Sequence, residues 1–305
     1  MNYLVIGAGG TGGCIAGYLA KAGKAVTLIA RGDHLESIRA NGLVIERLQD
    51  TLRIPVAAMT EQEYVSRKRK ADVIFVCVKG YSLESIYDLL EKASHEKTVI
   101  IPILNIYGTG EKLAKVFPKQ EVLNGCIYIA GEIRTPGVLK MSGDIFRIVY
   151  GRVDGDSSSP VLRQIAEDLG DSGITPVLSE NIRRDTFQKY SFVSPMAAVG
   201  AFCGSNAGDA QKPGKVREMF ISCVMEIREL AEAMGIPFSV DIVKTNLQIM
   251  DDLAAECTAS MQKDLAKGGK TEMDGLIFEV VRMGKQYGVP VPVYEQIAAK
   301  FGFQE

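Results

Sequence analysis

Three glycines near the start of the chain have the spacing that binds the phosphates of a dinucleotide. Residues 3–6 form an apolar run typical of a buried parallel strand, and an amphipathic helical pattern follows the glycines. In this context Gly7 permits a tight turn, Gly9 lets the backbone approach a pyrophosphate, and Gly12 lets the helix pack close to the sheet. A glycine-rich turn without a ligand is the alternative. The predicted cofactor contacts, made largely by N–H groups at the helix start, are Gly7, Ala8, Gly9, Gly10, Thr11 and Gly12.

The end of the second strand predicts which dinucleotide is bound. Residues 25–29 are apolar and lead into Ala30 and Arg31, where an NAD-selective site usually has an acidic residue. A guanidinium at this position suits a 2′-phosphate, because its planar fork can bind two phosphate oxygens. Asp33 lies close by, and Arg31 as a solvated loop charge is the alternative. The sequence therefore favours NADP over NAD.

Two further polar residues follow buried strands. Lys79 comes after the apolar run 72–78, and Asn105 comes after the run 98–104. Ligands bind at the carboxyl ends of strands in open α/β sheets, so Lys79 is a candidate cofactor contact. An asparagine at a strand end is more often a turn former than a ligand contact. Its spacing alone therefore leaves the role of Asn105 open.

Composition excludes several classes of protein. The chain has 305 residues with a formal net charge of −2, which gives no case for binding nucleic acid, and no apolar stretch approaches the roughly 18 residues that span a bilayer. The N-terminal apolar run lacks the cationic flank of a signal peptide. Six cysteines without C-x-x-C spacing predict reduced thiols in a cytoplasmic protein. With His34 and His95 as the only histidines, a histidine-based zinc site is not expected, and no metal is predicted.

Strand and helix patterns divide the chain into two predicted domains. Residues 1–178 are expected to form an α/β, Rossmann-type dinucleotide-binding domain, with a short hairpin at 42–57. Strand-like pieces at 121–151 are expected to extend its sheet with antiparallel strands. Residues 179–305 show no strand pattern and carry helical spacing at 187–202, 216–234, 241–252 and 272–287, which predicts an all-α domain for substrate binding, with apolar faces that could build a homodimer.

With these residues laid out, the chain resembles the ketopantoate reductases (2-dehydropantoate 2-reductases) from end to end. The stretch 31–43, RGDHLESIRANGL, and the block 260–275 are the most specific parts of the resemblance, whereas the glycine motif alone is not specific. The other matching stretches are residues 7–13, 77–80, 104–105, 130–138 and 182–189. The resemblance implies NADPH-dependent reduction of 2-dehydropantoate to (R)-pantoate in pantothenate and coenzyme A biosynthesis.

The resemblance also assigns roles to individual residues. Lys189 matches the lysine that protonates the ketone oxygen, and Glu272 matches the carboxylate that holds the terminal hydroxyl of the substrate. Ser260 matches a serine that binds the substrate carboxylate, and Asn105 matches an asparagine that helps fix lysine and substrate. Chemically, hydride addition to a ketone places negative charge on its oxygen, so a donor within hydrogen-bond reach is required. The implied catalytic residues are Lys189, Glu272 and Asn105, the substrate contacts add Ser260 and Ser194, and the cofactor contacts add Arg31, Lys79 and Asn105.

Two departures from the family pattern concern the substrate. Val193 stands where many members have asparagine, and Ser194 is the candidate to supply the lost hydrogen bond. Ile106 stands where the family usually has glycine. The rival functions are therefore a related NAD-dependent D-2-hydroxy-acid or D-mandelate dehydrogenase and, from a different class, a dinucleotide sensor without catalysis.

Overall fold

The chain folds into two compact units. The computed structural model describes residues 1–304. The first unit comprises Met1–Leu104 and Gly108–Ile182, and the second comprises Asn105–Tyr107 together with the chain from Arg183 onward. The short segment joins the second unit because the ring of Tyr107 packs 4.7 Å from that of Phe187, between centroids. The sequence pattern predicts residues 105–107 in the first domain. It also predicts a domain boundary after residue 178, four residues before the end of the first unit.

The first unit contains thirteen strands and six α-helices within the described residues. Its helices are α1 (Gly10–Lys21), α2 (Gly32–Asn41), α3 (Glu61–Ser66), α4 (Tyr87–Ala93), α5 (Thr109–Val116) and α6 (Pro160–Asp171). Its strands are β1 (Asn2–Ile6), β2 (Ala25–Ile29), β3 (Leu43–Glu46), β4 (Thr51–Ile54), β5 (Ala57–Met59), β6 (Val73–Val76), β7 (Val99–Pro102), β8 (Glu121–Val122), β9 (Asn124–Tyr128), β10 (Gly131–Thr135), β11 (Val138–Met141), β12 (Arg147–Gly151) and β13 (Thr175–Leu178).

A six-stranded parallel sheet is the centre of this unit. Its order is β5-β2-β1-β6-β7-β8, and all five of its strand pairs are parallel. Strands β6 and β7 are buried along their whole length, as the continuous apolar runs predict. The Rossmann-type α/β fold expected from the sequence is confirmed.

The strands between residues 121 and 151 differ from the prediction. They do not extend the parallel sheet with antiparallel partners. Strand β8 joins it in parallel, and the others build a sheet of order β10-β11-β3-β4 and one of order β13-β12-β9. Gly125 lets β9 pass close to β7, since a Cβ there would lie 3.0 Å from Ile101 Cγ2. The hairpin of β3 and β4 forms as predicted.

A buried carboxylate ties helix α6 to the parallel sheet. Asp168, 6% exposed, accepts hydrogen bonds from the Tyr3 hydroxyl at 2.6 Å and from Lys24 Nζ at 2.8 Å. Burial by itself would raise the pKa of Asp168, but these hydrogen bonds outweigh it, and the pKa lies below its ordinary value of 3.8. The carboxylate therefore stabilises the folded state above about pH 4, and this contribution is lost as the pH falls through the lowered pKa.

Asp168→Asn is expected to lower the free energy of unfolding at neutral pH by about 1.5–3 kcal/mol, the usual worth of hydrogen bonds to a charged group. The difference from the unchanged protein should shrink as the pH falls from about 4 through the lowered pKa, because the carboxylate is protonated first in the unfolded state and then in the folded state. Urea unfolding between pH 3 and 8 measures both effects. The control is Asp171→Asn, since the exposed Asp171 also pairs with Lys24 but should matter less. A pH-independent difference would contradict the role of the Asp168 charge.

The second unit is helical, as predicted. Its longest helix, α7, ends after 22 residues, and a π-helical segment, Asp274–Phe278, precedes helix α12. No helix within residues 1–304 has both the length and the apolarity that crossing a membrane requires. The helices are α7 (Ile182–Cys203), α8 (Ala207–Gln211), α9 (Lys215–Ala233), α10 (Ile242–Asp251), α11 (Ser260–Ala266), α12 (Glu279–Tyr287) and α13 (Pro292–Lys300).

Helix α7 contains a proline that is compensated from outside the helix. Pro195 has no N–H, so the carbonyl of Ser191, four residues back, loses its helical donor. Asn246 Nδ2 from α10 donates to this carbonyl at 2.9 Å and to the Ser191 hydroxyl at 3.0 Å. Asn246 is 1% exposed, and Ser191 is fully buried. A side chain therefore satisfies a backbone group that a buried helix would otherwise leave without a partner.

Candidate active site

The glycine turn has the geometry that its sequence predicts. Gly7 follows β1 with φ +106°, and a Cβ there would lie 2.8 Å from the carbonyl oxygen of Cys77, so only glycine fits. Helix α1 begins at Gly10. A Cβ on Gly12 would lie 2.1 Å from the Gly7 carbonyl oxygen, and one on Gly10 would lie 2.1 Å from that of Gly131. These three glycines are therefore required by the packing of the protein itself.

Gly9 differs from the other glycines of the turn. It has φ −70° and ψ −174°, which other residues adopt without strain, and a Cβ there would meet no atom within 4 Å. Protein packing therefore does not require glycine at this position. Helix α1 has no side-chain cap, and the first N–H groups of such a helix are the groups that bind a phosphate, so we expect a dinucleotide phosphate in the open space beside Gly9.

Strand topology brings the two predicted cofactor cations to the same edge of the sheet. Strands β2, β1 and β6 are parallel neighbours, so their carboxyl ends lie together. Arg31 lies two residues beyond β2, immediately before α2, and is exposed; within residues 1–304 its guanidinium has no hydrogen bond or ion pair. Lys79 lies three residues beyond β6 and is half-buried. Both cations therefore end on the edge that carries the glycine turn.

His34 is a residue of this edge that sequence reasoning missed. Its Nδ1 accepts the backbone N–H of Gly137 at 2.9 Å, which joins the first turn of α2 to the turn between β10 and β11. Burial disfavours the charged imidazolium and lowers the pKa of His34 below its ordinary value of 6.5. The signals in the sequence were its position three residues after Arg31 and its place in the stretch 31–43 that carries the resemblance.

In the second unit, Lys189 and Asn105 are in direct contact. Lys189 extends from α7 and is half-buried, and its Nζ donates to Asn105 Oδ1 at 2.7 Å. The bond joins residues 84 positions apart in the chain. Because an amide oxygen accepts without removing the charge, it can orient an ammonium group while leaving its other protons available. An ammonium group held by an amide oxygen in this way can serve as a positioned proton donor.

Glu272 lies just before the π-helical segment. It is 4% exposed, and its carbonyl accepts the N–H of Leu276 at 2.9 Å. Helix α7 contacts this segment through two hydroxyl groups, because Tyr190 donates to the Gly275 carbonyl at 2.8 Å and Ser194 donates to the Leu276 carbonyl at 2.6 Å. The residue next to Lys189 is thus bonded to the segment that begins beside Glu272.

The structure does not join the two predicted serines to the Lys189–Asn105 pair. Ser194 is fully buried, and its hydroxyl contacts Leu276 and, at 2.5 Å, the Tyr294 hydroxyl. Ser260 is the exposed first residue of α11, while Ala259 holds the cap position, where its N–H donates to Gln262 Oε1. Substrate contacts by the two serines stay predictions.

Tyr190, Tyr294 and Asn246 are further residues that sequence reasoning missed. Pro195 within a helical pattern was a signal for Asn246, since it requires an external donor. No spacing rule points to the two tyrosines, because their partners are a distant backbone carbonyl and a buried hydroxyl. Their roles depend on tertiary contacts that the sequence pattern does not contain.

Two family models match the chain. Residues 3–155 match the model described as Ketopantoate reductase PanE/ApbA. Residues 181–305 match the model described as Ketopantoate reductase PanE/ApbA C terminal. The two matches together cover most of the chain and both of its units.

Relatives share this organisation along their whole length. The Bacillus subtilis protein named Uncharacterized oxidoreductase YkpB is 26% identical over 305 residues, which are 100% of this chain and 99% of that protein. A PanE/ApbA family ketopantoate reductase from Ralstonia eutropha superposes with a TM-score of 0.89 at 25% identity, covering 98% of this chain and 97% of its own. D-mandelate dehydrogenase, solved with NADH and anilino(oxo)acetate, has a TM-score of 0.88 at 22% identity, covering 98% and 96%. The last likeness is one of fold.

Proposed function

The chain belongs to the ketopantoate reductase family, and on that premise we propose that it reduces 2-dehydropantoate to (R)-pantoate with NADPH. The family is one of oxidoreductases. The observation that carries the proposed reaction is the hydrogen bond of 2.7 Å between Lys189 Nζ and Asn105 Oδ1, a positioned cation in the helical unit. In the cell, this would be a step of pantothenate and coenzyme A biosynthesis in the cytoplasm. Self-association as a homodimer stays a prediction.

Each group of the proposed site has a distinct task. The dinucleotide would lie on the backbone of residues 7–12 and supplies a hydride when bound. Lys189 donates a proton to the ketone oxygen as negative charge develops there, and Asn105 orients the ammonium group toward it. Glu272 accepts a hydrogen bond from the terminal hydroxyl of the acid, because a buried carboxylate is a strong acceptor. Ser260 is assigned to the substrate carboxylate.

Arg31 supports NADP over NAD as the cofactor. Arg31→Ala is expected to weaken NADPH by about 10-fold or more, because a charge-assisted hydrogen bond contributes roughly 1.5–3 kcal/mol, and to change NADH little. Titration of both dinucleotides by protein fluorescence measures the difference. The control is Arg53→Ala, which removes another exposed guanidinium of the same unit. Equal losses for the two dinucleotides would remove the case for recognition of a 2′-phosphate.

The proposed reaction is tested by following NADPH oxidation with 2-dehydropantoate and a panel of other 2-oxo acids. A clear preference for 2-dehydropantoate would support the proposal and would make Val193 and Ile106 tolerated variations. Preference for a 2-oxo acid without the terminal hydroxyl would move the protein to the D-2-hydroxy-acid or D-mandelate dehydrogenase class, whose fold it shares. Binding of NADPH without turnover of any acid would favour the sensor.

A further inference from the structure

We infer that Tyr190 and Ser194 are positioning residues that set the place of the Glu272 carboxylate by holding the π-helical segment Asp274–Phe278. The inference rests on the proposed function, in which Glu272 recognises the terminal hydroxyl of the substrate. Tyr190 and Ser194 lie one turn apart on α7 and bond two successive carbonyls, those of Gly275 and Leu276. We call these two hydrogen bonds the hydroxyl clamp.

The π-helical segment is a part of the backbone that needs such support. A π-helix is rare and occurs mostly as a single turn. Here the N–H of Glu279 donates to the carbonyl of Asp274, five residues back, so the ladder is widened. The N–H of Leu276 in turn donates to the Glu272 carbonyl. The clamp therefore fixes the residue whose amide holds the Glu272 backbone.

The loop that carries Asn105 also supports the π-helical segment, through a close packing contact. A Cβ on Gly275 would lie 2.3 Å from Ile106 Cγ2, so the loop that carries Asn105 lies directly against the π-helical segment. Asn105 is bonded to Lys189, and Lys189 is followed by Tyr190, which returns to Gly275. These contacts form a closed ring. The ring fixes the proton donor and Glu272 relative to one another.

The clamp hydroxyls have no alternative partner in solvent. Tyr190 is 2% exposed, and Ser194 and Tyr294 are fully buried. Burying a hydroxyl without a hydrogen bond costs free energy, and the Ser194 hydroxyl is hydrogen-bonded to the Leu276 carbonyl and to the Tyr294 hydroxyl. Ser194 thus acts through the backbone beside Glu272.

The test compares two substrates in the full-length protein. Tyr190→Phe removes one hydroxyl and keeps the ring, which packs on Phe187. The kcat/KM values are measured for 2-dehydropantoate and for 3,3-dimethyl-2-oxobutanoate, the same acid without its terminal hydroxyl. We expect the ratio of the two values to fall about 3–10-fold, the range that one hydrogen bond supports, while the Kd of NADPH stays unchanged. Tyr287→Phe, at a half-buried tyrosine of α12, is the matched control and should leave the ratio unchanged.

Each other outcome is decisive. An unchanged ratio would overturn the inference, and equal losses on both acids, which leave the ratio unchanged, would reduce Tyr190 to a purely structural role. Ser194→Ala should lower the same ratio, which keeps the test open if the tyrosine variant folds poorly. If the unchanged protein reduces neither acid, the proposed function fails. In that case amide hydrogen exchange at residues 276–279 decides, since exchange that is as slow in Tyr190→Phe as in the unchanged protein would overturn the clamp.

Discussion

Lys189→Ala is expected to lower kcat on the 2-oxo acid by about 10²–10⁴-fold while NADPH binds with unchanged affinity. In the proposed mechanism the ammonium group held by Asn105 is the proton donor, and its loss would leave the ketone oxygen without a proton as charge develops. Stopped-flow measurement of hydride transfer separates this loss from any change in product release. Equilibrium titration with NADPH measures binding in the same samples.

Two further variants test whether the loss of kcat is specific to the Lys189 ammonium group. Lys244→Ala removes an exposed lysine of the same helical unit and should leave kcat unchanged. Asn105→Ala keeps the ammonium group but removes its acceptor, so it should cost less than Lys189→Ala. Turnover of Lys189→Ala at the rate of the unchanged protein would exclude Lys189 as the donor.

Gly9→Ala is expected to weaken NADPH by about 100-fold or more without changing the stability of the fold. A Cβ at this position meets no protein atom, and the backbone angles suit alanine, so the fold has no reason to resist the change. The methyl group would instead occupy the space assigned to the pyrophosphate. Losing two charge-assisted hydrogen bonds of roughly 1.5–3 kcal/mol each corresponds to at least that change in affinity.

The matched control is Gly170→Ala. It also adds a methyl group in open space, at an exposed position of α6, so it should leave binding unchanged and should not lower stability, because alanine is the better helix former. Gly12→Ala gives the contrast, because its Cβ would overlap the Gly7 carbonyl and should lower the melting temperature. Unchanged NADPH affinity in a folded Gly9→Ala protein would mean that the phosphates do not lie over this turn.

Local patterns predicted the parts of the fold that depend on local interactions. The strand before the glycines and the turn itself are set by residues 3–12, and both form as expected. Helix α2 was not indicated, because Leu35 and Ile38 are its only buried residues and give too short an apolar pattern. The predicted partners of the later strands were wrong, because strand pairing is long-range. Strand β11, for example, pairs with β3, with Val138 opposite Val44.

The proposed site was predictable to a similar extent. The resemblance named Lys189, Asn105 and Glu272 and implied that Asn105 helps fix the lysine, but no residue pattern reports the hydrogen bond that joins them over 84 positions. The hydrogen bond of the Tyr190 hydroxyl could not be predicted either. Its partner is a backbone carbonyl, a group that every residue possesses. Contacts of side chains with distant backbone require the tertiary structure.

The proline in α7 has a consequence for the order in which the protein folds. The carbonyl that Pro195 leaves without a helical donor is satisfied by a side chain 55 positions further along the chain. A peptide of residues 182–203 therefore lacks the group that completes its own helix, and we expect it to fray on either side of the proline. The helix that presents Lys189 becomes regular only after α10 has docked. During synthesis, we therefore expect Lys189 to reach its final place only after α10 has been made.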